Sequence, residues 1–198
     1  MKLHRPAVTG TKRLGVLAGG FNPPTVAHLA LASAARDHVD QLLCVVPRAF
    51  PHKEYFGATI DQRIEMLASL EWAIPSLIGV TEQGLFIDIA RECKAEFGAG
   101  TRLFFICGRD AAERILTWDY GRTGVVPEML NEFELLVASR GGAFEPPAEF
   151  AQRIHALRMP AGHDLVSSTE VRERIARGQP WEHLVPPGIV QRVREIYS

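Results

Sequence analysis

Short apolar runs, each ending at a glycine or proline junction and separated by helix-patterned stretches, set the strongest limit on how this chain can fold. Leu14–Ala18 closes on Gly19-Gly20, and Leu42–Val46 stops at Pro47. Leu103–Cys107 ends at Gly108, and Leu135–Ala138 ends at Ser139-Arg140-Gly141-Gly142. Near-continuous apolar runs of this length are what strands covered on both faces require. Leu77–Val80 reads as a further strand. Apolar spacing predicts helices over Val26–His38, Ile60–Trp72, Phe86–Phe97, Ala111–Leu116, Ser168–Arg177 and Ile189–Tyr197. Tyr120–Pro127 and Gly141–Pro147 read as surface loops near strand ends.

Strands alternating with helices lead to an open parallel sheet with right-handed crossovers. The expected fold is α/β: a Rossmann-like, doubly wound open parallel sheet with a helical C-terminal part, one domain over residues 13–198. A chain of 198 residues buries enough core to need neither disulfides nor a structural metal. Lys plus Arg is 22 against 23 for Asp plus Glu. That balance excludes a protein built mainly to bind nucleic acid or an anionic membrane, while leaving room for a local basic pocket. Cys44, Cys93 and Cys107 match no zinc or disulfide spacing and read as buried free thiols in a reducing compartment. The basic leader, residues 1–12, has no signal-peptide core and is expected to be a disordered tail. No run of about twenty apolar residues could cross a bilayer. A cytoplasmic location is expected.

In doubly wound sheets the ligand lies outside the carboxyl ends of the strands, where the topology switches. Gly19-Gly20, the loop after Pro47, Gly108 and Arg140-Gly141-Gly142 all follow predicted strands, so one edge collects them. The richest segment is Gly19-Gly20-Phe21-Asn22-Pro23-Pro24-Thr25-Val26-Ala27-His28. Its glycines permit close backbone approach, Thr25 can cap the helix, and His28 falls in the first turn beside free N–H groups. The same residues also fit a plain cap with a surface histidine. Val166-Ser167-Ser168-Thr169-Glu170-Val171-Arg172 offers hydroxyls and a guanidinium at another helix start, or simply a Ser167–Glu170 capping box.

Together these segments resemble the nucleotidyltransferase superfamily. The first looks like its T/H-x-G-H signature and the second like its I-S-S-T-x-x-R signature. Pro51-His52-Lys53, then Arg63, Glu65 and Met66, is similar to the bacterial nicotinate mononucleotide adenylyltransferases. So are Ile106-Cys107-Gly108-Arg109-Asp110, Trp118, Val137-Ala138-Ser139-Arg140-Gly141 and Leu184-Val185-Pro186-Pro187. The likeness runs from about Leu14 to Tyr197.

The resemblance implies transfer of an adenylyl group from ATP to a pyridine mononucleotide, with release of pyrophosphate, in NAD biosynthesis. It places His28 and Thr25 on the triphosphate, His28 nearest the α-phosphoryl group. Lys53 and Arg172, with Ser168 and Thr169, would hold the leaving phosphates. Gly19, Gly20, Phe21 and Asn22 would line the ATP site, Gly108 and Asp110 would meet the ribose, and Arg140 would touch phosphate or adenine. Trp118 would stack on the pyridine, with Leu85 and Phe86 beside the acceptor. Magnesium would come bound to the phosphates, with no metal ligands from the chain. Taken without the resemblance, Lys53 is a solvated loop lysine, Asp110 a helix cap, and Trp118 a seal on the sheet edge. Trp72 and Trp181 read as packing residues.

Ala27 stands where the family carries glycine. Gly84-Leu85-Phe86-Ile87-Asp88-Ile89 stands where the bacterial enzymes carry Ser-Tyr-Thr-x-Asp-Thr, which leaves the choice between nicotinate and nicotinamide open. Asp119–Phe133 is longer than the usual connection and reads as a lid or an oligomer contact. Partners are therefore ATP and a pyridine mononucleotide, with homo-oligomerisation open. Two other readings remain: a nucleotidyltransferase for pantetheine phosphate or a sugar or alditol phosphate, and a non-catalytic nucleotide sensor. The Pro51-His52-Lys53 loop and Trp118 discriminate against the first, and Leu85-Phe86 speaks weakly for it. Retention of His28, Lys53 and Arg172 together argues against the second.

Overall fold

Five of the six parallel strands form where the apolar runs predict them. The computed structural model describes residues 1–4, 10–48, 57–138, 144–159, 162–163 and 166–197. In chain order the elements are β1 (Lys2–Leu3), β2 (Arg13–Ala18), α1 (Val26–Ala34), β3 (Gln41–Pro47), α2 (Ile60–Ala68), β4 (Ser76–Thr81) and α3 (Phe86–Phe97). There follow β5 (Arg102–Gly108), α4 (Arg109–Thr117), α5 (Val125–Glu132), β6 (Glu134–Ala138), β7 (Ile154–Leu157), α6 (Ser168–Ala176) and α7 (Val190–Tyr197). They build one sheet of order β1-β4-β3-β2-β5-β6-β7. β2 to β7 are parallel to their neighbours, and β1 alone pairs antiparallel, Lys2 opposite Val80.

The pleat sends successive side chains to opposite faces, and the sequence uses both. Leu42, Cys44, Val46, Phe104, Ile106 and Leu136 bury against α1, α2, α6 and α7. Leu43, Val45, Leu103, Phe105, Leu135 and Val137 bury against α3, α4 and α5. Each such aliphatic side chain contributes about 1.5–3 kcal/mol on burial, so the two faces together hold the sheet between helical layers.

Counting only the parallel strands in chain order, the spatial order is 3-2-1-4-5-6, with β2 first and β5 fourth. The chain leaves β2 in one direction to build β3 and β4, then crosses back to β5 on the other side. Loops after β2 and β5 therefore diverge at the carboxyl edge and open a crevice there. Register places Leu14 opposite Gln41 on one side and opposite Leu103 on the other.

Three expectations need correction. The leader is not wholly a disordered tail: Lys2–Leu3 forms the edge strand, and the His4 N–H donates to the Ile78 carbonyl at 2.8 Å. Tyr120–Pro127 is not all loop, because α5 begins at Val125 after Gly124 in the left-handed region at φ 78°. Asp119–Phe133 is also no free lid, since Val125, Met129, Leu130 and Phe133 are buried in the second core. The edge strand β7 was not foreseen at all. α1 and α2 end at Ala34 and Ala68, earlier than their apolar spacing predicts.

Candidate functional site

Gly19 lies at the carboxyl end of β2, where its N–H donates to the Val45 carbonyl at 3.0 Å and extends the β2–β3 ladder. Among the described residues, the atoms nearest to a Cβ there belong to the Phe21 ring, at an ordinary 3.5 Å. Phe21 follows at φ 46°, a left-handed conformation that costs a bulky residue of order 1 kcal/mol. Its ring is 1% exposed and lies 4.9 Å from the His28 imidazole, centroid to centroid. Packing thus holds the backbone where local preference does not.

Thr25 caps α1 and is fully buried. Its backbone N–H donates to His28 Nδ1 at 2.9 Å, and its hydroxyl lies 2.8 Å from the same nitrogen. A backbone N–H can only donate, so Nδ1 is the acceptor and Nε2 is the nitrogen that carries hydrogen. The histidine is thereby fixed in ring orientation and tautomer, with one N–H donor turned away from its cap. His28 also sits at the amino end of α1, where backbone dipoles favour an anion.

The second signature docks directly on the first. Ser167 caps α6 by accepting from the Glu170 N–H at 3.1 Å, while the Glu170 carboxylate turns to Arg174 Nε at 3.0 Å instead of closing a capping box. Ser168 donates its hydroxyl to the Pro23 carbonyl at 2.8 Å. Arg172 donates from Nη1 to the Asn22 carbonyl at 2.6 Å and from Nη2 to Thr169 Oγ1 at 3.3 Å. Segments about 145 residues apart in sequence are joined here, and one cation and one hydroxyl-bearing helix start face the loop that carries His28.

The remaining expected residues fall around this centre. Gly108 ends β5 and caps α4, which puts Asp110, exposed, in the first helical turn and not at the cap position. Leu85 caps α3 with no side-chain bond to the helix start, and Phe86 stacks on Phe105 at 4.5 Å. Phe86 is thus tied to the core on one side. Trp118 ends α4 and is 40% exposed, so it does not seal a sheet edge. Lys53 and Arg140 lie outside the described residues. Cys107 is buried and its thiol is pushed up to about 12 by burial, which leaves it no role as a nucleophile. Trp181 is buried as a packing residue.

Sequence reading missed one participant. The Tyr197 hydroxyl on α7 donates to Asn22 Oδ1, which also accepts the Ala58 N–H at 3.2 Å. Nothing near Tyr197 in sequence signals this contact.

A doubly wound α/β sheet with an imidazole, a guanidinium and helix starts gathered at its switch point is a nucleotide-site architecture. The chain belongs to the cytidylyltransferase-like family, whose family model matches residues 16–174. It is 30% identical to the probable nicotinate-nucleotide adenylyltransferase of Moorella thermoacetica, over 94% of this chain and 91% of that protein. It is 32% identical to the probable nicotinate-nucleotide adenylyltransferase of Bordetella pertussis, over 89% and 92%. The nicotinic acid mononucleotide adenylyltransferase of Plasmodium falciparum, solved in complex with NaAD, superposes with a TM-score of 0.72 at 16% identity, covering 93% of this chain and 95% of that one. That likeness extends the shared fold across nearly the whole molecule. No helix among the described residues is long and apolar enough to cross a membrane.

Proposed function

We propose that this chain transfers the adenylyl group of ATP to the phosphate of a pyridine mononucleotide, nicotinate mononucleotide before nicotinamide mononucleotide. The observation that carries the reading is the His28 imidazole, locked through Nδ1 by the Thr25 N–H at the mouth of the switch-point crevice. The names of the relatives support the acceptor class.

A phosphate oxygen of the mononucleotide attacks the α-phosphorus of ATP, the bond to the β-phosphate oxygen breaks, and pyrophosphate leaves with the electron pair. No covalent bond to the protein forms. The protein's task is to align the two phosphates and stabilise charge as it gathers. His28 Nε2–H donates to a non-bridging α-phosphoryl oxygen, an interaction that strengthens as that oxygen gains charge. Arg172 spends its donors on Asn22 and Thr169, and so both builds the loop and lends its positive charge to the leaving pyrophosphate. Ser168 and Thr169 at the start of α6 belong to the same phosphate end, a role that the resemblance also gives Lys53. Asp110 and Gly108 suit the ribose, Trp118, Leu85 and Phe86 the acceptor ring, and the resemblance gives Arg140 a contact with phosphate or adenine.

The His28 imidazole, the Arg172 guanidinium and the hydroxyls of Ser168 and Thr169 around this loop suit phosphate oxygens better than a magnesium ion. Magnesium would therefore enter bound to ATP and would supply charge neutralisation at its phosphates.

The test is pyrophosphate release from ATP and magnesium with nicotinate mononucleotide and, separately, nicotinamide mononucleotide. Release with either supports the reading, and the ratio of rates reports how Leu85 and Phe86 discriminate acid from amide. No release with either, in a protein that binds ATP, would turn the search to another phosphorylated acceptor.

A further inference from the structure

We propose that Tyr197 is a positioning residue for adenylyl transfer, its hydroxyl fixing Asn22 and thereby the loop that presents Thr25 and His28. The inference rests on the function proposed above for the chemistry, but on geometry alone for the coupling.

Asn22 is 7% exposed and is gripped at two oxygens. Its side-chain Oδ1 accepts the Tyr197 O–H and the Ala58 N–H, and its backbone carbonyl accepts Arg172 Nη1. An amide oxygen has two acceptor sites, and these two donors fill them. Ser168 takes the next carbonyl, that of Pro23. Three side chains from α6 and α7 therefore converge on two consecutive residues of the loop. The loop needs such holding, because Phe21 sits in a left-handed conformation it does not adopt unaided.

The seat of the tyrosine is built into the chain. Gly57 has φ 85°, and a Cβ there would lie 2.8 Å from Tyr197 Cε1 and 3.2 Å from Asn22 Oδ1. Only glycine leaves room for the ring to reach the asparagine. Burial pushes the Tyr197 phenol up to about 12, against the pull of the nearby Arg63 and Arg172, so the hydroxyl keeps its proton and remains a donor at neutral pH. α7 does not depend on this bond for its place. Val193 and Ile189 are buried beneath it, and Arg192 pairs with Glu65 of α2.

The experiment compares full-length wild type, Tyr197→Phe and Arg192→Gln by steady-state pyrophosphate release, thermal melting and amide hydrogen exchange. Tyr197→Phe keeps the ring and deletes the hydroxyl. It should lower kcat about tenfold, a change of about 1.4 kcal/mol in activation free energy. Its KM for ATP should stay within about twofold, since the lost contact acts on the transition state through His28. Exchange at residues 19–28 should quicken, with that of β3 and β5 unchanged. Arg192→Gln, which loosens α7 elsewhere, should leave kcat and loop exchange as they are.

Wild-type kcat and wild-type loop exchange in Tyr197→Phe would overturn the proposal. So would an equal loss of kcat in Arg192→Gln, which would make the effect one of general packing. If the wild type releases no pyrophosphate with either pyridine mononucleotide, the substrate reading fails separately. Exchange at 19–28 then decides the coupling by itself: faster exchange supports it, and unchanged exchange overturns it.

Discussion

Replacing His28 by alanine removes one N–H donor whose direction the fold has already set. The Thr25 N–H occupies Nδ1 at 2.9 Å, which fixes the ring and makes Nε2–H the donor that the proposed function assigns to the α-phosphoryl group. Loss of one such preorganised donor to developing charge costs about 10²–10³ in turnover, or about 2.7–4 kcal/mol. A second, smaller effect falls on stability, because the Thr25 N–H loses its partner at a buried helix start. A cap of this kind contributes about 1 kcal/mol, which for a chain of this size lowers Tm by about 2–4 °C. The two effects separate cleanly. Pyrophosphate release at saturating ATP and nicotinate mononucleotide reads the first, thermal melting reads the second, and calorimetric titration reads ATP affinity. His28→Ala should show the full loss in kcat with ATP affinity within about threefold of wild type, the pattern of an interaction made in the transition state. A loss of ATP affinity as large as the loss of kcat/KM, with turnover intact, would refute the role assigned to the imidazole.

Gly57→Ala sets a methyl against the Tyr197 ring at a positive φ, and should cost about 2 kcal/mol of stability, read by urea unfolding; wild-type stability would show that the loop yields. Glu134 gives a pH test. Burial pushes its carboxyl up, but hydrogen bonds from Arg102 and His155 outweigh this and hold it below the ordinary range. A carboxylate depressed in the folded state stabilises above its unfolded pKa, and that contribution is lost as pH falls through the folded value. Glu134→Gln should therefore cost about 1–2 kcal/mol near pH 7, and the difference from wild type should shrink towards pH 3; urea melts giving the same difference at both pH values would sink this account. The thiols of Cys93 and Cys107 are buried and pushed up to about 12, and Cys44 is pushed up as well. A chromogenic disulfide reagent at pH 8 should label none of the three until denaturant is added, whereas fast labelling of the native protein would contradict their burial.

Strands covered on both faces announce themselves, which is why β2 to β6 were legible from their apolar runs. β7 was not: Ile154–Leu157 includes His155 and Ala156, has four residues and lies at the sheet edge, where only one side must be apolar. α5 was hidden by Gly121, Gly124 and Pro127, all of which read as loop signals. Pro127 in fact occupies the first turn of the helix, where its missing N–H costs nothing. β1 is two residues long, too short for any pattern. The site divides in the same way. The segments at 19–28 and 166–172 carry their helix caps and the residues proposed for phosphate in consecutive positions, and both can be read locally. That α6 would spend Ser168 and Arg172 on the backbone of Asn22 and Pro23 depends on tertiary packing, as does the reach of Tyr197 across 175 residues to Asn22.

The clamp on residues 22–23 also orders events in time. Among the described residues, all seven strands lie before residue 158, yet Ser168, Arg172 and Tyr197, which grip the Asn22–Pro23 segment, lie after residue 167. A ribosome that has released only the sheet from its exit tunnel holds a chain able to pair every strand but not to set the His28 loop. On the function proposed above, adenylyl transfer then requires α6 and α7 to be in place as well as the sheet.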